Sequence, residues 1–311
     1  MSRRAHIIWW LVGVTALAGV VWYFRPDSFL QSLQKVGFVG VAGWLAATIM
    51  ARMLAAEVSM SLLRTLGYRL SRMQIFLIGW LRTFSNQIVP MTGIAVYVQQ
   101  IRHQSGASWQ DLAAASSQQF FVGAAALGVI GVLATLCNVQ VTGNATGPLL
   151  VVFSALAGIA LASALGVSRV MQKMPRALLR RIAAASESFG KLASNPKLVL
   201  SLIGLHSGAI LLRGARVWLL FGAVGAGLSW REALLIVALA EATVLIAVTP
   251  GGLGIREALI IGGASLLDIP TDISVAVSLI DRLFVVALTG IMAAPSAMYL
   301  HHRSSRRPVQ E

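Results

Sequence analysis

Thr249–Ala258 reads TPGGLGIREA: a proline and three glycines, followed at once by the adjacent charges of Arg256 and Glu257. Proline lacks a backbone donor and breaks a helix interior, and glycine adopts dihedrals that other residues avoid. A helix passing Ala240 therefore cannot run unbroken past Pro250 and the Gly251, Gly252 and Gly254 that follow. Broken helices that carry charge inside a membrane mark substrate paths.

The sequence around this element is membrane sequence. Of 311 residues, 57% are hydrophobic and only 12% charged, with a mean hydropathy of +0.78. Soluble domains are roughly half apolar and a quarter charged, so the expected fold class is an all-α polytopic membrane protein. Apolar stretches of the ~20 residues that cross a bilayer occur at 6–24, 37–60, 112–137, 147–167, 198–222 and 273–299. Two more, 74–90 and 232–249, end at a proline. The first stretch follows Arg3 and Arg4 but has no small-x-small cleavage site, so it reads as an uncleaved span. The sole cysteine, Cys137, excludes a disulfide framework and a thiolate metal site.

Orientation follows from the 25 lysines and arginines. With the N-terminus inside, sixteen fall in cytoplasmic stretches, and only Arg25, Lys35 and Arg231 lie in outer loops. The positive-inside rule thus predicts a multi-pass protein of the cytoplasmic (inner) membrane with both termini cytoplasmic. Topology also accounts for most of the net charge of +14, which removes the reason to expect a nucleic-acid partner. Residues 168–197 carry seven basic residues and one acid among apolar ones. They read either as a basic amphipathic cytoplasmic segment on the inner leaflet or as an ordinary positive-inside loop.

The arm after Pro90 holds Gln99, Gln100, Arg102, His103 and Gln104, too polar to face lipid through a full crossing. The 74–104 and 232–267 stretches are therefore expected to be two re-entrant helical hairpins beside about six transmembrane helices. The hairpins resemble each other, Ile88–Ile94 aligning with Val248–Ile255 with one inserted residue, and related sequence follows at Ser116 and Ser278. Three spans separate them, so the copies would form an inverted repeat, repeat A about 37–137 and repeat B about 198–300, in one integral membrane domain.

The PGGLGIRE element, the Asn86–Pro90 segment with Gly93, and the Asp281–Arg282 pair resemble the transmembrane flippase-like domain of the lysylphosphatidylglycerol synthase family, over roughly residues 10–300. That resemblance implies a lipid-handling membrane protein, with members linked to translocation of aminoacylated phosphatidylglycerol, to cardiolipin traffic, and to polyprenol-linked or hopanoid lipids. Only about eleven polar residues follow Tyr299, so the soluble synthase activity is not implied. Repeat A also departs from a symmetric charged site, with Ala95 and Val96, and Gln118 and Gln119, where charges would be expected.

Charges left within the spans are Arg52, Arg82, Arg213, Arg216, Arg256 and Arg282 against Glu57, Glu241, Glu257 and Asp281. Each costs about 2.5–3.5 kcal/mol at mid-span, so all must be buried, paired or wet. Two positive charges are unmatched, and an anionic headgroup or lipid phosphate would balance them, since the arginine fork suits phosphate oxygens. Helices restarting after Gly254 and after Gly93 would add positive dipole ends. One reading has Arg256 and Arg282 gripping a lipid phosphate, with Glu257 and Asp281 orienting them or carrying a proton. The other makes Arg256–Asp281 and Arg282–Glu257 structural pairs that permit insertion. Arg82 and Glu241 would lie at related depths in the two repeats, close enough to pair. Arg213 and Arg216, one turn apart, would line a headgroup path or snorkel to the interface. No histidine pair has metal-ligand spacing and no nucleotide fingerprint is present, so no metal and no cofactor is expected. The expected function is a lipid translocase, more transporter than enzyme, with membrane lipids as partners. The alternatives are a membrane-embedded lipid or glycolipid transferase, or a non-transporting partner of a lipid assembly system.

Overall fold

The computed structural model describes residues 26–89, 91–171, 187–243 and 249–305. The expected first span at 6–24, Pro90 and residues 172–186 of the 168–197 basic segment lie outside the described residues. Among the described residues the chain is helical and has no strand. The described residues form nine helices of eight residues or more: α1 (Pro26–Thr65), α2 (Arg72–Ile88), α3 (Thr92–Ser105), α4 (Trp109–Cys137), α5 (Thr146–Met171), α6 (Pro196–Ala223), α7 (Trp230–Glu241), α8 (Ile255–Ser265) and α9 (Thr271–Ser305). A further helical stretch covers 187–193.

Side chains at the helix starts explain where the chain turns. Ser71 caps α2 with a reciprocal capping box, its hydroxyl accepting from the Gln74 N–H and the Gln74 side chain from the Ser71 N–H. Ser229 and Glu232 repeat the device at α7, Ser108 caps α4, and Asn195 caps α6 with Pro196 as its first residue. Each satisfies donors that a helix start leaves unpaired.

Among the described residues five helices, α1, α4, α5, α6 and α9, are long and apolar enough to cross a membrane. The protein is a multi-pass membrane protein. By contrast α2, α3, α7 and α8 have 17, 14, 12 and 11 residues. At ~1.5 Å per residue each is shorter than a hydrocarbon core of ~30 Å. The break before α8 comes earlier than the proline alone requires, because α7 already ends at Glu241. The break before α3 also differs from expectation, the helix restarting at Thr92 after Met91 takes a left-handed conformation, φ 62°.

Gly93 serves close approach: a Cβ there would sit 2.3 Å from the Arg82 carbonyl oxygen. Its N–H donates to Asn86 Oδ1 at 2.8 Å, so α3 folds back tightly along α2. Gly251, Gly252 and Gly254 all have positive φ, which is why glycine occupies the second turn.

Packing relates the two halves in a regular way. α1 lies along α6; α2 rests on α9, and α7 rests on α4; α2 packs on α1, and α7 on α6. Exchanging α1–α4 for α6–α9 maps each of these contacts onto another of them. The largest core cluster runs through this centre, from Trp44 of α1 through Phe221 and Val237 to Ile280 of α9. α5 stands outside the exchange and seals against α4, where a Cβ on Gly128 would fall 2.5 Å from the Ala157 backbone nitrogen.

Candidate functional site

The two turns meet. A Cβ on Gly251 would lie 3.6 Å from Gln87 Cα, at the end of α2, and the Pro250–Gly252 turn packs on α2. Behind them the intramembrane charges fall into two groups.

The first group is a buried ionic hub. Asp281, fully buried in α9, accepts hydrogen bonds from Trp44 Nε1 of α1 at 2.8 Å, Arg256 Nη1 of α8 at 2.7 Å and Arg216 Nη2 of α6 at 3.2 Å. Arg216 also brings Nε to 2.8 Å from Oδ1 and stacks over the Trp44 ring, 5.4 Å from its centroid. Four helices thus converge on one carboxylate. Arg282 donates to the Gly251 carbonyl oxygen at 2.8 Å and has its Nε 3.8 Å from Glu257 Oε1, an ionic contact too long for a hydrogen bond.

The pairings Arg256–Asp281 and Arg282–Glu257 are those of the structural reading of the sequence. The helix starts expected to cradle an external anion are filled from within the chain. The Gly254 N–H donates to Glu257 Oε2 at 2.7 Å, and the Gly93 N–H is held by Asn86. Glu257 is therefore the anion at the start of α8.

The second group lines a cavity of about 360 Å³ enclosed by α1, α2, α3, α4, α6 and α7. Its charged residues are Arg52, Arg82, Arg213 and Glu241, with His206 beside them. The expected pairing of Arg82 with Glu241 does not form: Glu241 is bound by Arg213, with Arg256 Nη2 4.0 Å away on its other oxygen. Arg82 instead lies over the Tyr97 ring, 5.2 Å from its centroid, and Arg52 over Trp80 at 4.9 Å. A neighbour one turn away on α6 can thus serve a different group, Arg213 facing the cavity and Arg216 the hub.

Among the described residues, neither Arg52 nor Arg82 has a carboxylate within ion-pair distance. Glu57, counted in the sequence among the intramembrane charges, instead pairs at 2.7 Å with Arg72, which is 76% exposed at the start of α2. It does not line the cavity, which holds two cations more than its one anion. Sequence reasoning did not single out Arg52, because the partners that give it meaning sit on α2, α6 and α7.

The cavity reaches the molecular surface between α3 and α4. Ile94 and Phe120 both line it, yet are 47% and 46% exposed. Gln119, which the sequence alignment of the two halves sets near the Asp281–Arg282 pair, faces the same space. An uncharged side chain there leaves the arginines uncompensated.

Comparison with curated proteins gives no match. A family model described as the lysylphosphatidylglycerol synthase TM region matches residues 10–293. That span takes in both turns, the hub and the cavity, and the chain belongs to this family of membrane regions related to lipid handling.

Proposed function

We propose that the protein is a lipid translocase of the cytoplasmic membrane, taking the headgroup of an anionic, phosphate-bearing lipid into the cavity of Arg52, Arg82 and Arg213. The observation that carries this is the charge imbalance. Two arginines sit on aromatic faces, 13 residues from the end of α1 and ten from the start of α2, which is about 15–20 Å along each helix. Uncompensated cations at such depth are costly unless a ligand anion balances them, and a guanidinium binds phosphate oxygens in a forked geometry.

In this reading six spans and two re-entrant hairpins form an inverted repeat with both termini cytoplasmic. The exchange of contacts between α1–α4 and α6–α9 supports it, as do four helices too short to cross. The first hairpin enters from the cytoplasmic side and the second from outside, and access alternates about the place where their turns meet. Arg216, Arg256, Arg282, Glu257 and Asp281 hold the frame of the cavity, while Arg52, Arg82 and Arg213 face the headgroup. The surface gap flanked by Ile94 and Phe120 lets acyl chains remain in the bilayer.

Full-length protein in liposomes, assayed by dithionite quenching of fluorescent phosphatidylglycerol and, separately, of fluorescent phosphatidic acid, tests the reading. Exchange of at least one of them should exceed that of protein-free vesicles and fall at least roughly tenfold in Arg52→Gln and Arg82→Gln, the loss of one charge-assisted hydrogen bond. No exchange of either lipid by the unaltered protein, or unchanged exchange in both variants, would overturn it.

A further inference from the structure

The same cavity also discriminates among headgroups, and this step rests on the proposed function. Arg52, Arg82 and Arg213 face it against the single carboxylate of Glu241, and that carboxylate is shared outward with Arg256. The positive excess is therefore at least two charges. A phosphodiester such as that of phosphatidylglycerol brings one negative charge and leaves a cation uncompensated. A phosphomonoester brings about 1.5 to 2 negative charges at pH 7 and three terminal acceptor oxygens, as many acceptors as there are cavity arginines.

The cavity is equally informative about what it does not suit. A headgroup carrying an ammonium needs a free carboxylate, and the only one lining the wall among the described residues is engaged by Arg213. Ser59, Thr83, Ser116 and Gln119 supply neutral hydrogen-bonding groups but no charge to offset a cation. An aminoacylated phosphatidylglycerol would place its amine among three guanidinium groups, where like charges repel.

We infer that the preferred ligand of the Arg52–Arg82–Arg213 cavity is a lipid with a dianionic terminal phosphate, a phosphomonoester in place of a phosphodiester, zwitterionic or aminoacylated headgroup. Soluble phosphate has the same charge and oxygens, but the cavity meets the surface at the apolar Ile94 and Phe120. That opening suits a headgroup whose chains stay outside.

Binding of defined probes to the full-length protein in detergent tests this. Phosphatidic acid, phosphatidylglycerol and inorganic phosphate are compared by thermal shift and native mass spectrometry at pH 8 and pH 5.5. At pH 8 phosphatidic acid should bind about tenfold or more tightly than phosphatidylglycerol, the gain of one further charge-assisted contact. The ratio should shrink toward one at pH 5.5, as the phosphate regains its second proton near pH 6. Arg52→Gln and Arg82→Gln should each shrink it at pH 8.

Equal binding of the two lipids at pH 8, still weakened by both variants, overturns the dianion inference and leaves the translocase reading standing. Binding of both lipids that neither variant alters overturns both. Inorganic phosphate stabilising the protein as strongly as phosphatidic acid also overturns both, because the acyl chains would then contribute nothing.

Discussion

Trp44 and Asp281 are 237 residues apart in sequence and 2.8 Å apart in space, the indole Nε1 donating to the carboxylate Oδ1. This bond ties the first long helix of one half to the last helix of the other, inside the hub where Arg216 and Arg256 also end. Asp281→Ala strands two buried guanidinium groups and should cost about 3–5 kcal/mol. Trp44→Phe, which removes one donor to a carboxylate that keeps its two arginines, should cost less, about 1–3 kcal/mol. Chemical unfolding in detergent gives both values, and a larger loss for Trp44→Phe would contradict the hub.

Glu57 offers a contrast. Its partner Arg72 is largely exposed, and exposed pairs contribute about 0–1 kcal/mol. Glu57→Gln should leave thermal stability nearly unchanged, and a loss comparable with that of Asp281→Ala would place Glu57 back among the interior charges.

Gly93→Ala should open the α2–α3 hairpin, since the added methyl meets the backbone oxygen of Arg82, which has no rotamer to move. The expected cost is about 1–3 kcal/mol. Gly204→Ala, where nothing lies within 4 Å, is the control and should be neutral or slightly stabilising. Protease susceptibility near residues 85–95 reports the opening.

On the seam between α4 and α5, Gly128→Ala and Gly131→Ala should both destabilise. The first methyl would meet the Ala157 backbone nitrogen at 2.5 Å and the second the buried ring of Phe153 at 2.2 Å. Melting temperatures of the two variants in one detergent check it, and a value unchanged from the unaltered protein in either would contradict the close seam.

Glu241→Gln and Arg213→Gln should act in opposite directions on anionic lipid. Removing the carboxylate frees Arg213 and leaves the cavity more positive, so binding is retained or tightened. Removing Arg213 leaves Glu241 with Arg256 at 4.0 Å and takes a cation from the cavity, so binding falls roughly tenfold. Titration with phosphatidic acid distinguishes the two, and weaker binding in both variants would make the pair itself the determinant.

That the chain breaks around Pro90 and Pro250 was legible in the sequence because glycine and proline limit the backbone wherever they stand; the end of α7 at Glu241 and the restart of α3 after a left-handed Met91 were not. Asn86, which holds the Gly93 N–H, stands in the segment before Pro90 that carries the family resemblance. Partner choice among the charges depends on which helices become neighbours. Arg213 meets Glu241 across 28 residues and Arg216 meets Asp281 across 65, separations that hydrophobic periodicity does not encode. Glu57 likewise finds its partner through tertiary contact, Arg72 lying beyond the turn between α1 and α2. Arg52 stood out least, because it rests on an aromatic ring and pattern reading looks for opposite charges.

The reciprocal seating of α2 on α9 and of α7 on α4 has a consequence for how the chain holds together. Each half supplies the outer wall for the other half's hairpin, so neither has a complete interior of its own. Fragments severed between α5 and α6 are expected to stay clasped, much as subunits of an obligate dimer do.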